Sequence, residues 1–472
     1  MKAVMLLVTH CFIASFGFTQ NLTNTFNKTD SVSNKYTIGT ITLIGNKITK
    51  NQILFRELTF HKDDPVDTST LEKIFKRSEE NLYNTSLFNS VQITWLPENK
   101  KINVFIIVTE RWYIFPLPIF EIAERNFNVW WETKDLSRIV YGGELTWNNF
   151  RGRNEVLAFS ARLGYTQRIS FYYSIPYINR KQRSGLKFGF SFSRNHQSTV
   201  NTVNNNFIYY KDENLFSKKE YGGSVSYTNR IDLYRTHIIE AGYRHNEVLD
   251  TIIRLNNDYF TPGKSKLNYS ILRYFFKSDH RDIAVYPLKG YYIDFEITKN
   301  GLGFLKDDID LAYMTAHGRK FWPLINRFYF GAGISLKYTA GKNVPYYLSK
   351  GLGYGRNFLR GYEHYVIDGQ NYILLKSNFK FELIPKKEVH FGFIPLNKFA
   401  TIPYAFYLNL YADGGYVEDE LYAINNPLDN SWQMGFGAGI DFVTYYDMVF
   451  RFEYSINKLG ETGFFVHFTS PI

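Results

Sequence analysis

The stretch of this chain that most suggests chemistry is GLGYGRNFLRGYEHY, Gly351 to Tyr365. Glycine-rich loops cradle phosphates when a third glycine is correctly spaced, or when a Lys-Ser/Thr pair follows, and when the loop opens a helix. Here Gly351-x-Gly353 runs into Arg356 where the third glycine belongs, no Lys-Ser/Thr follows, and no helical periodicity begins. A nucleotide loop is excluded on those grounds. What remains is Arg360, an arginine in a glycine-rich segment with no phosphate to hold. Its partner must come from whatever the rest of the chain builds. The His-Glu-x-x-His, Gly-x-Ser-x-Gly and Asp-rich calcium-loop patterns do not occur, and the ten histidines are scattered at non-ligand spacing. No catalytic residue, metal site or cofactor is read from the sequence, and the chain is not expected to be an enzyme.

The leader MKAVMLLVTHCFIASFGFTQ has a basic start at Lys2, an apolar run over residues 3–18, and small residues at Gly17 and Thr19 before Gln20. It reads as a secretory signal peptide over 1–19, too short for a membrane anchor and followed by a polar segment. The sole cysteine, Cys11, leaves with it, so the mature chain has no thiol for a disulfide, a zinc–thiolate site or a nucleophile. The formal charge is +11 over 472 residues, but Lys and Arg are interleaved with Asp and Glu and form no block. That distribution argues against nucleic-acid binding.

Aromatic content is 18%, with 37 Tyr and 42 Phe, while the mean hydropathy is −0.28. The mixture excludes a bundle of membrane helices and suits a sheet with one apolar and one wet face. Residues 20–35 are a polar lead-in, expected to be disordered. Residues 36–112 alternate and then turn helical in the order strand, helix, helix, strand, strand, with Thr49 a candidate N-cap. From 113 to 472, and clearly from about Arg138, runs of roughly ten residues alternate between faces, separated by Gly, Asn, Asp and Pro. In MVFRFEYSIN, Phe450, Phe452 and Tyr454 share one face while Arg451, Glu453 and Ser455 share the other. Large aromatics outside and charges inside imply lipid on one side and water on the other. A lipid-facing sheet must close on itself, because an open edge leaves backbone groups unpaired in hydrocarbon. About fifteen good strands and one or two weak ones are countable, which predicts an all-β transmembrane barrel of 16 antiparallel strands.

The first domain resembles a POTRA module, and the whole mature chain is similar to the BamA/TamA-type outer-membrane assembly family, also called the bacterial surface antigen family. The residues that carry the resemblance are Leu359-Arg360-Gly361-Tyr362, matching the family's arginine motif at the tip of a loop folded back into the lumen, and Tyr411-x-Asp413-x-Gly415, matching its aspartate signature on a later strand. The resemblance implies an outer-membrane barrel with its POTRA domain in the periplasm, in which Arg360 grips Asp413 on the barrel wall. It implies unfolded outer-membrane or surface proteins as clients, contact with outer-membrane lipid, and room for accessory periplasmic or lipoprotein subunits. It also implies a seam between the first and last barrel strands, expected near Arg138–Trp147 and Gly463–Thr469. Two departures stand out. Asn378 occupies the place where relatives carry a glutamate facing the arginine, and Phe468 lies short of the terminal position where relatives carry an aromatic. The leading expectation is a factor that assembles, inserts or translocates other proteins. The alternatives are a two-partner-secretion-type pore for a dedicated partner and a passive barrel.

Overall fold

The computed structural model describes residues 35–122, 130–132, 134, 138–341, 343–392, 400–444 and 448–468. The signal peptide expected at 1–19 lies outside them, as does the lead-in up to residue 34. The first domain comprises β1 (Lys35–Ile44), α1 (Asn51–Glu57), β2 (Pro65–Asp67), α2 (Thr68–Asn84), β3 (Phe88–Glu98) and β4 (Lys101–Glu110). The sheet order is β2-β1-β4-β3, with β1 parallel to β4. Apolar residues one and two turns apart on α2 (Leu71, Phe75 and Leu82) pack with Leu54 of α1 onto Ile38, Val104 and Ile106 of the sheet, and all are buried. Asp67 caps α2 by accepting from the Ser69 amide at 2.9 Å. Asn99 and Lys100 both take positive φ, the two-residue turn that matches hairpin twist. Thr49 does not cap α1, contrary to the sequence expectation. Its amide and hydroxyl both donate to the buried Glu110 carboxylate at 2.7 Å, and the helix starts only after Lys50.

The barrel strands are β5 (Ile114–Ile122), β6 (Ile139–Phe150), β7 (Glu155–Gly164), β8 (Thr166–Ile175), β9 (Ser184–Asn195), β12 (Lys218–Arg230), β13 (Arg235–Val248) and β14 (Lys266–Asp279). They continue with β15 (Gly290–Asn300), β16 (Leu311–Pro323), β17 (Phe328–Ala340), β18 (Asn371–His390), β19 (Thr401–Glu418), β20 (Gln433–Val443), β21 (Val449–Asn457) and β22 (Thr462–His467). Each pairs antiparallel with its neighbour in one 16-stranded sheet, running from β22 back to β5. The outward rows are largely apolar and exposed, as with Phe452, Tyr454 and Phe464, and the inward rows are largely polar, apart from residues such as Leu267, Leu374 and Val417 that pack under the loops.

The first barrel strand is β5, not the expected Arg138–Trp147, which falls largely in β6 and pairs with β5 through Ile114↔Trp147 to Ile122↔Ile139. Pro116 and Pro118 hid it, because proline supplies no ladder donor and marks a segment as edge or non-strand. An edge is where it sits. Only Arg111, Trp112 and Tyr113 separate β4 from β5.

A hairpin of β10 (Gln197–Val203) and β11 (Asn206–Lys211) rises between β9 and β12 and folds over the outer mouth. Its tip, Asn204-Asn205, has positive φ at both residues. Asn205 is fully buried there: its side chain donates to the Val366 carbonyl at 3.1 Å and Asp429 at 2.9 Å and accepts from the Leu428 amide at 2.9 Å. Val200 of the hairpin packs with Ile252 of the short helix α3 (Asp250–Leu255), Phe260 and Tyr346. The outer mouth is thus covered by interlocked loops.

At the inner mouth the POTRA helices rest on the barrel's periplasmic turns. Arg230 forks onto Glu57 with both bonds at 2.7 Å, and Arg56 lies 4.2 Å from the Tyr177 ring centroid. Arg77 donates to Tyr234 and to the Arg281 carbonyl, Asn84 donates to the Asp282 carbonyl, and the Lys50 amide donates to the Gly152 carbonyl. Burial alone would push the Glu57 carboxyl up. The hydrogen bonds and charge of Arg230, with Arg56 beside it, hold it below the usual carboxylate range.

Candidate functional site: an arginine clasp inside the barrel

The loop between β17 and β18 leaves the outer rim, turns inward and presents Leu359–Tyr362 to the walls of β18–β22. Gly361 sits at φ +88°, a left-handed conformation that glycine adopts without strain. Opposite it, β20 carries Gly435, where an added Cβ would lie 1.9 Å from the Arg360 carbonyl oxygen. The loop backbone can lie on the wall only because that wall lacks a side chain there.

Arg360 and Asp413 come together as a bidentate pair. Nε donates to Oδ2 at 2.7 Å and Nη2 to Oδ1 at 2.5 Å, and both side chains are fully buried. Nη2 also donates to the Ser377 carbonyl at 3.0 Å, and the guanidinium stands 3.8 Å from the Tyr411 ring centroid. Asn378 does not leave the arginine short of a partner: its Oδ1 accepts from Nη1 at 2.6 Å. The second carboxylate is Glu453 on β21, 3.5 Å from the same Nη1 and 2.7 Å from Arg451. Sequence reasoning placed Glu453 on the wet face but could not say that β21 lies beside the arginine. The arginine is thus shared among a carboxylate on β19, a neutral amide on β18 and a second carboxylate on β21.

The surrounding contacts extend to the last strand. Tyr362 donates to Gln433 at 2.9 Å, Asn457 donates to the Gly361 carbonyl at 3.0 Å, and the Gly361 amide reaches Glu363 at 2.8 Å. His467 of β22 lies 3.3 Å from Glu363 and stacks on Phe358. Gly415, the last residue of the aspartate signature, is a contact surface for Leu352 and Leu359. At this level the charged and polar side chains around Arg360 are buried and closely packed. Such an array holds its geometry and offers no nucleophile, paired acid and base, or exposed ligand set. Among the described residues no group of three or more His, Cys, Asp or Glu could hold a metal ion.

The chain matches the Omp85 superfamily domain over residues 149–458 and the POTRA model, described as surface antigen variable number repeat, over 36–111. No curated protein matches it in sequence. Among solved structures it is similar to BamA from Haemophilus ducreyi lacking POTRA domains 1–3, at 15% identity and a TM-score of 0.52, over 92% of this chain and 83% of that one. It is similar also to CdiB from Escherichia coli, at 10% identity and a TM-score of 0.51, over 95% of this chain and 92% of that one. At those identities the structures bear on the fold alone. The POTRA domain lies in the periplasm and the barrel in the outer membrane, and the family, which handles client outer-membrane or secreted proteins, is non-enzymatic. With one POTRA domain, a 16-stranded barrel and a family model covering most of its length, the chain belongs to the Omp85 superfamily.

Proposed function

We propose that the protein assembles or inserts other outer-membrane or surface proteins, receiving them at its POTRA domain and passing them through the seam between its end strands. The observation that carries this reading is the ending of the sheet. Among the described residues no ladder joins β5 to β22, although every other neighbouring pair is zipped. Two features support it. The covered outer mouth disfavours a straight path through the lumen. On the POTRA sheet, β2 and the two residues before it cover β1 through Lys35–Ile38, leaving the stretch beyond available for strand addition. A groove of about 310 Å³ lies beside it, lined by Thr40, Ile41, Phe55, Leu58 and Phe60. In this reading the arginine clasp fixes the loop against β18–β22 and so sets the shape of the wall next to the seam. No nucleotide is required, since one set of backbone hydrogen bonds is exchanged for another.

Depletion of the protein followed by quantitative profiling of the outer membrane tests this. Loss of several barrel or surface proteins is expected. Loss of a single exported partner would favour a dedicated secretion pore, the alternative reading, and an unchanged profile would refute both.

A further inference from the structure

Away from the clasp, the inner face of β13–β18 and the loop that follows β17 enclose a cavity of about 380 Å³ in the outer half of the lumen. Four cationic side chains line it: Arg244 on β13, Arg273 on β14, Lys337 on β17 and Lys350 on the loop. No carboxylate does. Alternation from the exposed, outward Ile239, Leu272 and Leu336 turns the three strand residues inward.

Their charges are compensated unequally. Arg273 lies 3.2 Å from Glu240 and 3.7 Å from Glu296. Lys337 donates instead to neutral acceptors, the backbone carbonyls of Lys350 at 2.6 Å and Gly369 at 3.5 Å. Lys350 stands 5.2 Å from the Tyr347 ring centroid. Among the described residues neither lysine, nor Arg244, forms an ion pair with a carboxylate. The carboxylates whose charge reaches the lysines, Glu220 and Asp368, are committed elsewhere. Glu220 is paired with Lys218 at 2.8 Å and accepts from Tyr347 at 2.5 Å, while Asp368 accepts from Thr202 at 2.5 Å and from Tyr354. Like charges gathered in a confined space repel one another, and an anion that fills the space relieves the repulsion.

Five tyrosines and several threonines and asparagines make up most of the remaining lining. Such a surface suits a hydroxylated ring, whose apolar faces stack on tyrosine while its hydroxyls exchange hydrogen bonds with the short polar side chains. The volume falls in the range of roughly 300–1,000 Å³ usual for small-molecule pockets. The strands around the cavity are paired along its whole width, so a lipid tail has no way in through this wall. Three uncompensated cations call for more than one negative charge. A phosphate monoester carries about −1.5 to −2 at neutral pH, which a carboxylate does not match.

We propose that this cavity binds a phosphorylated sugar, with its phosphate set among Arg244, Lys337 and Lys350 and its ring against the tyrosines. Arg244 and Lys337 belong to the wall, and Lys350 and Tyr347 to the loop. An occupant therefore ties the loop to the wall on the approach to the Arg360 clasp.

The test uses the full chain in nanodiscs, titrated calorimetrically at constant ionic strength with glucose 6-phosphate, inorganic phosphate and glucose. Glucose 6-phosphate is expected to bind one site per chain, at least ten-fold more tightly than inorganic phosphate, and glucose to give no saturable heat. Arg244→Met and Lys350→Met should each weaken binding at least ten-fold, and Arg244→Lys, which restores the charge, should recover it to within three-fold. Arg319→Met removes an arginine of β16 that lies outside the cavity, 5.4 Å from the Tyr292 ring centroid, and should change affinity less than two-fold. Saturation with glucose 6-phosphate should slow hydrogen–deuterium exchange over residues 346–350 at least ten-fold. The inference is overturned by absent binding of glucose 6-phosphate, by inorganic phosphate or glucose binding as tightly, by unchanged affinity in both methionine variants, or by exchange that does not slow. None of these outcomes bears on the depletion profile, so the two proposals fail separately.

Discussion

Replacing Arg360 with methionine probes the clasp most directly. The substitution keeps most of the side-chain volume and removes the guanidinium from a site where it and Asp413 are both fully buried. Glu453 retains Arg451 at 2.7 Å and His467 at 3.6 Å, so Asp413 is the carboxylate that loses its bidentate partner, with the cross-strand Lys376 as the remaining cation beside it. Breaking a buried pair by removing one partner costs about 3–5 kcal/mol, far more than an exposed pair would. The stacking on Tyr411 is lost too, but the Tyr362–Gln433 and Asn457–Gly361 hydrogen bonds remain. At ~1.4 kcal/mol per factor of ten, the open population of the loop should rise by roughly two to three and a half orders of magnitude. Hydrogen–deuterium exchange over residues 351–365 in nanodiscs reads that population, and the barrel strands serve as an internal control. Adding Asp413→Asn should restore about half of the lost protection, because the orphaned charge disappears with it. Exchange within two-fold of wild type in Arg360→Met would refute the claim that this pair holds the loop. A double variant no better protected than the single one would show that the cost does not come from the stranded carboxylate.

Three further outcomes follow from other contacts. Gly435→Val should displace the loop as strongly as loss of the arginine, since its Cβ would lie 1.9 Å from the Arg360 carbonyl oxygen; proteolytic cleavage within 351–365 measures this. Asn205→Ala removes three side-chain hydrogen bonds worth together about 2–4 kcal/mol and places alanine at φ +55°. Bursts of conductance across planar bilayers should become at least thirty-fold more frequent. For Glu57, whose carboxyl is held below its ordinary value of 4.5 in the docked state, docking of the POTRA domain should be unaffected above that value and weaken as the pH falls through the depressed one. Cross-linking between α1 and the Arg230 turn should fall off accordingly in wild type, and Glu57→Gln should be weakened at every pH and lose that dependence.

Much of the fold was legible because membrane strands leave a chemical imprint. Residues such as Phe450, Phe452 and Tyr454 alternate with Arg451, Glu453 and Ser455, and the structure places the first set outward and the second inward. The β10–β11 hairpin left no such imprint, because it is packed by other loops and not by lipid, so its polar residues carry no facial pattern. β5 was concealed by the two prolines that define its role as an edge. The clasp shows a further limit. Alternation tells which face Asp413 and Glu453 occupy, but not their height in the barrel or which strands adjoin the returning loop. It was this geometry that brought Asn378 and Glu453 to the arginine. Thr49 illustrates the same limit on a smaller scale: a buried carboxylate distant in sequence took the hydroxyl that local pattern assigned to a helix cap.

The three-residue connection between β4 and β5, with the Glu57–Arg230 fork bracing the domain from the far side, has a mechanical consequence. A long tether would let the periplasmic domain nod without disturbing the membrane part. Here the domain and the proline-bearing strand move as a single crank. Any torque that a bound polypeptide exerts on the small sheet is delivered within about 10 Å of chain to the seam, at ~3.3 Å per extended residue.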